Sequence, residues 1–207
     1  MPGIVRNVVA RAFKSAELPP ALRERVLSRQ KEGNIQRLEK LAKSLQPGEY
    51  HIELQAESEL VKCFYPTKFA RVELPNGKNY SNKQLEMLGE NLLLLNMNKT
   101  FLNLFKRSEQ DISGFDFNFA AKMDHMSSWK KDSPELIRRF LRNKKLTNLA
   151  RLPAPSNRIP ERIQHGFDRK AFSAVIGYIS VTNELTIVSK FLREKITNPI
   201  ARAILLR

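Results

Sequence analysis

Cysteine is nearly missing from this chain. Cys63 stands alone among 207 residues, so no disulfide can form within the chain, and a reducing compartment suits it. Long apolar runs are missing too. None exceeds four residues, as at Leu92–Leu95, whereas a membrane-spanning helix needs about 18, so no helical membrane span is expected. The three histidines, His51, His125 and His165, lie far apart and outside any HExxH or CxxC frame, which argues against a zinc site. There is no Walker-type phosphate loop, no GxGxxG and no GxSxG elbow. The single tryptophan, Trp129, reads with Cys63 as a packing residue. No repeat of fixed period and no low-complexity tract occurs. No cofactor is expected.

Negative charge is scarce. Lysine and arginine number 36 against 21 acids, for a formal net charge of +15. Such an excess favours a polyanionic partner, because each phosphate neutralised by a cationic side chain releases condensed counterions. A merely solvated basic surface is the plainer alternative, but the charge is uneven. Residues 136–170 hold Arg138, Arg139, Arg142, Lys144, Lys145, Arg151, Arg158, Arg162, Arg169 and Lys170 against only Glu161 and Asp168, a local excess of +8. Aromatics are sparse there (Phe140 and Phe167), so base stacking on single strands is not indicated. Backbone contact to folded RNA fits better.

Hydrophobic residues make up 42% of the chain, enough for a core. Residues 1–16 carry Arg6, Arg11 and Lys14 and no acid, a composition shared by organelle transit peptides and by ordinary basic arms. Residues 20–45 show helical spacing at Leu22, Val26 and Leu27, and after Gly33-Asn34 at Ile35, Leu38, Leu41, Ala42 and Leu45. The opposite face is charged, and Gln46-Pro47-Gly48 ends the pattern. Over 49–80 short extended pieces are expected, from the alternation at Ile52, Leu54 and at Val72, Leu74, with a turn at Pro75-Asn76-Gly77.

Residues 81–106 predict the strongest helix, with Ser81 as N-cap and a core stripe at Leu85, Leu88, Leu92 and Leu95. Gly89 in its interior costs about 1 kcal/mol against alanine, and a close helix contact would justify it. After a mixed stretch with Gly114 and Phe115, Phe117 and Phe119, Asp132-Ser133-Pro134-Glu135 predicts a helix start. That helix leads through Leu136, Ile137, Phe140 and Leu141 toward Leu146 and Leu149. Three prolines make 152–160 a loop. A last helical stretch runs from Phe167 or Asp168 to Lys195, with a break near Thr182-Asn183. The fold class expected is all-α.

One string carries most of the functional information: Asn82-Lys83-Gln84-Leu85-Glu86-Met87-Leu88-Gly89-Glu90-Asn91-Leu92-Leu93. Glu86 and Glu90, at i and i+4, share a helix face distinct from the leucine stripe. The string resembles the signature of the ribonuclease III family, N-E-R-L-E-F-L-G-D-A/S-V-L. Asn82, Leu85, Glu86, Leu88, Gly89 and Leu93 match, Glu90 stands for Asp, and Lys83 and Gln84 replace Glu and Arg. Cys63-Phe64-Tyr65-Pro66-Thr67 falls where the family has a motif like L-T-H-x-S, and the helix from Ser133 to Leu149 resembles its basic middle helix. Ala171-Phe172-Ser173-Ala174-Val175-Ile176-Gly177-Tyr178-Ile179 resembles the second signature, D-x-x-E-A-L-I-G-A-I. The resemblance covers residues 50–195.

It implies a helical nuclease-like domain at 49–196, behind a basic extension over 1–48 and before a tail at 197–207. The family hydrolyses RNA with magnesium held by four carboxylates, two per signature. Here those positions are Glu86, Glu90, Lys170 and Ser173, so an ammonium and a hydroxyl replace two acids. The resemblance therefore implies a retained fold, no catalytic residue and no metal. Activity would need another acid, Asp168 or Glu184. Degenerate domains of this kind serve in the large subunit of mitochondrial ribosomes, and the chain resembles the fungal kind that lacks an appended RNA-binding domain.

That likeness implies a mitochondrial location, ribosomal RNA and other mitochondrial ribosomal proteins as partners, and a heterodimer with a second ribonuclease III-like protein across the first-signature helix. Lys83, where the family has Glu at that seam, would favour a hetero-pair. The RNA-contacting residues expected are Arg138, Arg139, Arg142, Lys144, Lys145, Arg151, Arg158 and Arg162. An active endoribonuclease and a ribosome-assembly or RNA-processing factor are the alternatives.

Overall fold

A computed structural model describes residues 20–54, 57–66, 71–74, 76–104, 119–152 and 159–205. Segment 1–16, Gly114, Phe115, Phe117 and Arg158 lie outside them, as do the side chains of Leu22, Val26, Leu27, Phe119 and His125. The described chain is helical apart from one small hairpin, so the all-α expectation holds.

Helix α1 spans Pro20–Leu45 without a break at Gly33-Asn34. It buries Leu38, Leu41 and Leu45, while Ile35 faces solvent. Gln46 adopts a left-handed conformation and hands the chain to a 3-10 turn, Pro47–Tyr50. Helix α2 is short, Glu57–Lys62, and had no clear periodicity to announce it. Strands β1 (Arg71–Glu73) and β2 (Asn79–Ser81) pair antiparallel, with Val72 opposite Tyr80. Gly77 at φ 77° supplies the left-handed turn residue between them. Residues 52–54 join no strand, although Ile52 is buried.

Helix α3 is Asn82–Leu104. Ser81 and Gln84 form a reciprocal capping box: the Gln84 N–H donates to Ser81 Oγ at 3.2 Å, and the Ser81 N–H donates to Gln84 Oε1 at 2.8 Å. The buried face runs through Leu85, Gly89, Leu92, Leu93, Asn96, Met97 and Phe101. Leu95 is not on it and is 47% exposed. Ten residues at about 100° each leave Leu95 about 80° round from Leu85, on the side away from Leu93.

Helix α4, Phe119–Asn143, corrects the start expected at Asp132. Pro134 sits inside it, although proline removes one helix hydrogen bond. The helix continues because Trp129, Leu136, Ile137, Phe140 and Leu141 form one buried stripe on both sides of the proline. It stops at Asn143, short of Leu149. Lys145 turns left-handed at φ 56°, and the Leu146 N–H closes on Leu141 O at 2.8 Å. Leu146 and Leu149 are still buried, but from a loop.

Helix α5, Glu161–Thr182, begins earlier than Phe167, directly after Pro160. Its segment Ala171–Ile179 is buried all round, marking it as the central helix. The break near Asn183 is present. The Asn183 side chain donates to Ile179 O at 3.0 Å and also bonds the Glu53 backbone. Helix α6 (Leu185–Phe191), a π-helical segment (Leu192–Thr197) and helix α7 (Asn198–Leu205) follow. The tail expected from residue 197 is thus largely helix, and it buries Ile200 and Ala201.

The tightest packing joins α3 to α5. A Cβ on Gly89 would sit 1.9 Å from Ser173 O, and one on Gly177 would sit 2.1 Å from Leu85 O. Contact moves from residue 177 to 173 as α3 advances from 85 to 89, so the helices run antiparallel. This is the close contact Gly89 called for. Gly89→Ala and Gly177→Ala should each destabilise the protein by about 1–3 kcal/mol or more through overpacking, despite alanine's better helix propensity. Gly166→Ala, with nothing within 4 Å of its Cβ, should stabilise by about 0.5–1 kcal/mol. Urea denaturation of the three variants checks the contrast.

Candidate functional site

The α3–α5 crossing carries the four positions singled out in the sequence. Glu86 is buried on α3, and its carboxylate is held by Lys83 Nζ at 3.2 Å, one turn earlier on the same helix. Glu90 is half-buried one turn further on. Across the crossing, Ser173 on α5 is fully buried. Its carbonyl abuts Gly89, and its hydroxyl has no hydrogen-bond partner. Lys170 stands 5.6 Å from the centre of the Phe167 ring, a cation–π contact on its own helix. Among the described residues it makes no ion pair with Glu86 or Glu90, so neither acid is neutralised by this lysine.

The other acids named as substitutes are engaged. Asp168 is fully buried and clamps the loop that follows α4. Its carboxylate accepts the backbone N–H of Asn148 at 2.9 Å and of Ala150 at 2.8 Å, and the Gln164 amide at 2.8 Å. Burial pushes its carboxyl above the usual range, against the pull of those donors. Glu184 accepts the Thr186 hydroxyl at the start of α6. Among the described residues no three His, Cys, Asp or Glu side chains gather where they could hold a metal ion. Cys63 is buried, and desolvation raises its thiol to about 12, which suits a packing residue. Trp129 is buried as well.

The basic residues form a ridge along the end of α4 and the loop after it. Glu135 accepts Arg138 at 3.3 Å and Arg139 at 3.2 Å. From α5, Glu161 accepts Arg142 at 3.2 Å and His165 Nε2 at 2.9 Å, with Arg138 at 3.8 Å. The Arg139 bond holds Glu135 below the usual carboxylate range, and His165 does the same for Glu161. These exposed pairs orient the guanidinium groups without covering them, since Arg139 and Arg142 keep more than half their side-chain surface in solvent. Lys145 and Arg162 are exposed, and Lys144 is half-buried.

Arg151 departs from this pattern. Its guanidinium donates to Gln30 O at 2.8 Å and Asn34 Oδ1 at 3.2 Å, and its backbone N–H donates to Phe64 O at 2.6 Å. It bolts α1 to the loop. Two cations that the regional charge count did not reach, Arg37 and Lys40 of α1, face the same loop across a cleft. Their spacing of three on the charged face of α1 was the available signal. Among the described residues no helix is long and apolar enough to cross a membrane.

No family model, curated protein or solved structure matches the chain.

The Asp168 clamp holds residues 148–150 after α4. Asp168→Asn keeps the shape but loses one acceptor oxygen, which strands a buried N–H. It should cost about 1–3 kcal/mol, measured as a lower urea midpoint with an unchanged m-value.

Proposed function

We propose that this chain is an RNA-binding structural protein, a constituent of the mitochondrial large ribosomal subunit that holds ribosomal RNA on a catalytically inactive, ribonuclease III-like helical domain. The observation that carries this reading is the chemistry at the α3–α5 crossing. Where the resemblance calls for four carboxylates, two acids remain, beside the Lys170 ammonium and the Ser173 hydroxyl. Glu86 is held by Lys83. A divalent cation wants hard oxygen ligands with negative charge, and this set supplies a weak one. Asp168 and Glu184, which an active endoribonuclease would need, are committed to the loop after α4 and to Thr186.

The ridge supports the binding half of the proposal. Arg139, Arg142, Lys145 and Arg162 present cations to solvent with little aromatic surface among them, the character of a surface that grips phosphates and shape rather than bases. Purified protein should bind a duplex-containing hairpin RNA with strong salt dependence and leave it uncut in Mg²⁺ or Mn²⁺. Product above that of a Glu86→Gln control would overturn the inactive reading. Substoichiometric association with large subunits would favour the assembly-factor alternative.

Pairing belongs to the same proposal. Helix α3 is apolar on two sides. One packs against α5, while Met87, Leu94, Leu95 and Leu102 are each 41–53% exposed, along one outward stripe. That stripe lies on the first-signature helix, where the resemblance puts the seam with a second ribonuclease III-like protein. Leu94→Glu should weaken such a heterodimer about thirtyfold or more, the scale of a hot-spot residue, and sedimentation of the mixed chains measures it.

A further inference from the structure

We propose that the cleft between α1 and the loop 146–149 is a binding site for one phosphate group of the RNA backbone, held by Arg37 and Lys40. The inference rests on the RNA-binding reading and gives it a place on α1. The cleft has a volume of about 160 Å³ and is lined by Gly33, Arg37, Lys40, Thr147 and Asn148 among others. That is room for a phosphate group with some of its water. No acidic residue lines it.

Arg37 is held in place at the cleft rather than free. Arg37 donates from NH1 to Gly33 O at 2.6 Å and from Nε to Asn148 O at 3.1 Å. Two carbonyls thus hold the guanidinium at the cleft, and its other terminal nitrogen has no acceptor among the described residues. Neither Arg37 nor Lys40 makes an ion pair among the described residues. Arg151 comes close as well. A Cβ on Gly33 would lie 3.1 Å from Arg151 NH1 and 3.2 Å from Arg37 NH1, so two guanidinium groups converge on one point above the helix. Among the described residues Asp168 is the one carboxylate that acts on Arg37; it makes no ion pair with the guanidinium, since its oxygens accept the loop N–H groups.

Arg37 and Arg151 repel each other, and with no carboxylate directly paired to either among the described residues a bound anion offsets that cost. Arginine's planar set of donors matches phosphate oxygens, and Lys40 adds a mobile point charge. The same geometry accounts for Gly33, which otherwise weakens the middle of α1: any side chain there would crowd both guanidinium groups. The cleft also continues the ridge. The Ser44 hydroxyl of α1 donates to Lys144 O at 2.7 Å, which brings α1 against the Lys144-Lys145 corner and lets one RNA backbone run from the ridge onto α1.

The test uses the full chain with Lys40→Gln, which removes a side chain that makes no hydrogen bond or ion pair among the described residues, and Arg37→Gln as a second variant. Two readouts are taken: the slope of log affinity against log salt for a hairpin RNA, and the thermal midpoint in inorganic phosphate against chloride at equal ionic strength. The expected result is RNA binding whose salt slope falls by up to about 0.9 in either variant, the loss of one phosphate contact. With it, phosphate should raise the wild-type midpoint and leave the variants' unchanged. RNA binding with an unchanged slope in both variants would overturn the cleft and leave the RNA reading standing. Phosphate stabilisation of the wild type alone, without RNA binding, would support the cleft as an anion site and overturn the RNA reading. Neither effect would overturn both.

Discussion

The direct contact of two backbones, α3 on α5, is the constraint that orders this protein. Gly89 rests on the Ser173 carbonyl and Gly177 on the Leu85 carbonyl, so neither position has room for a methyl group. With the backbones so close, the side chains on either side of the crossing interdigitate into one core. Phe172 meets Phe140 of α4 at a ring separation of 5.9 Å, and the buried Thr100 and Thr197 hydroxyls, 2.7 Å apart, join α3 to the π-helical segment. The crossing also sets the relation of Glu86 and Glu90 to Lys170 and Ser173. Around it stand a carboxylate held by a neighbouring lysine, a buried hydroxyl with no hydrogen-bond partner among the described residues, and an ammonium turned to an aromatic ring.

Charge is organised on a second level. The few acids in the basic half of the chain are used inward or sideways. Asp168 is spent on backbone N–H groups and Glu161 on two arginines and a histidine. Exposed pairs of this kind contribute little to stability, but they fix where the guanidinium groups stand. Holding long cationic side chains in place in this way lowers the ordering cost that binding any anion would carry.

Much of this could be read along the chain. Gly89 announced a close helix contact by its cost within a leucine-rich helix. Ser81 announced a cap, which the structure extends to a capping box with Gln84. Pro75-Asn76-Gly77 announced a turn, and Asn183 a helix break. Each rests on a local preference of one or two residues, which the surrounding fold reinforces. The misreadings share the opposite cause. Pro134 predicts a helix start by local rule, yet the buried stripe from Trp129 to Leu141 carries α4 through it. Leu146 and Leu149 continue the apolar pattern, yet they are buried from a loop that a left-handed lysine begins and Asp168 holds. Leu95 matches the leucine spacing, yet lies off the packed face.

By itself the sequence determined the fold class, the basic character of residues 136–170 and the glycine at the crossing. These follow from residue type and short-range spacing, which one segment carries alone. Only the tertiary structure decided that Arg151 bolts α1 to the loop, that Lys170 turns to Phe167, that Asp168 is a clamp, and that Arg37 and Lys40 share a cleft with the loop after α4. Those outcomes depend on which distant groups meet, and a charged side chain's partner is set by the helix packed against it rather than by its neighbours in sequence.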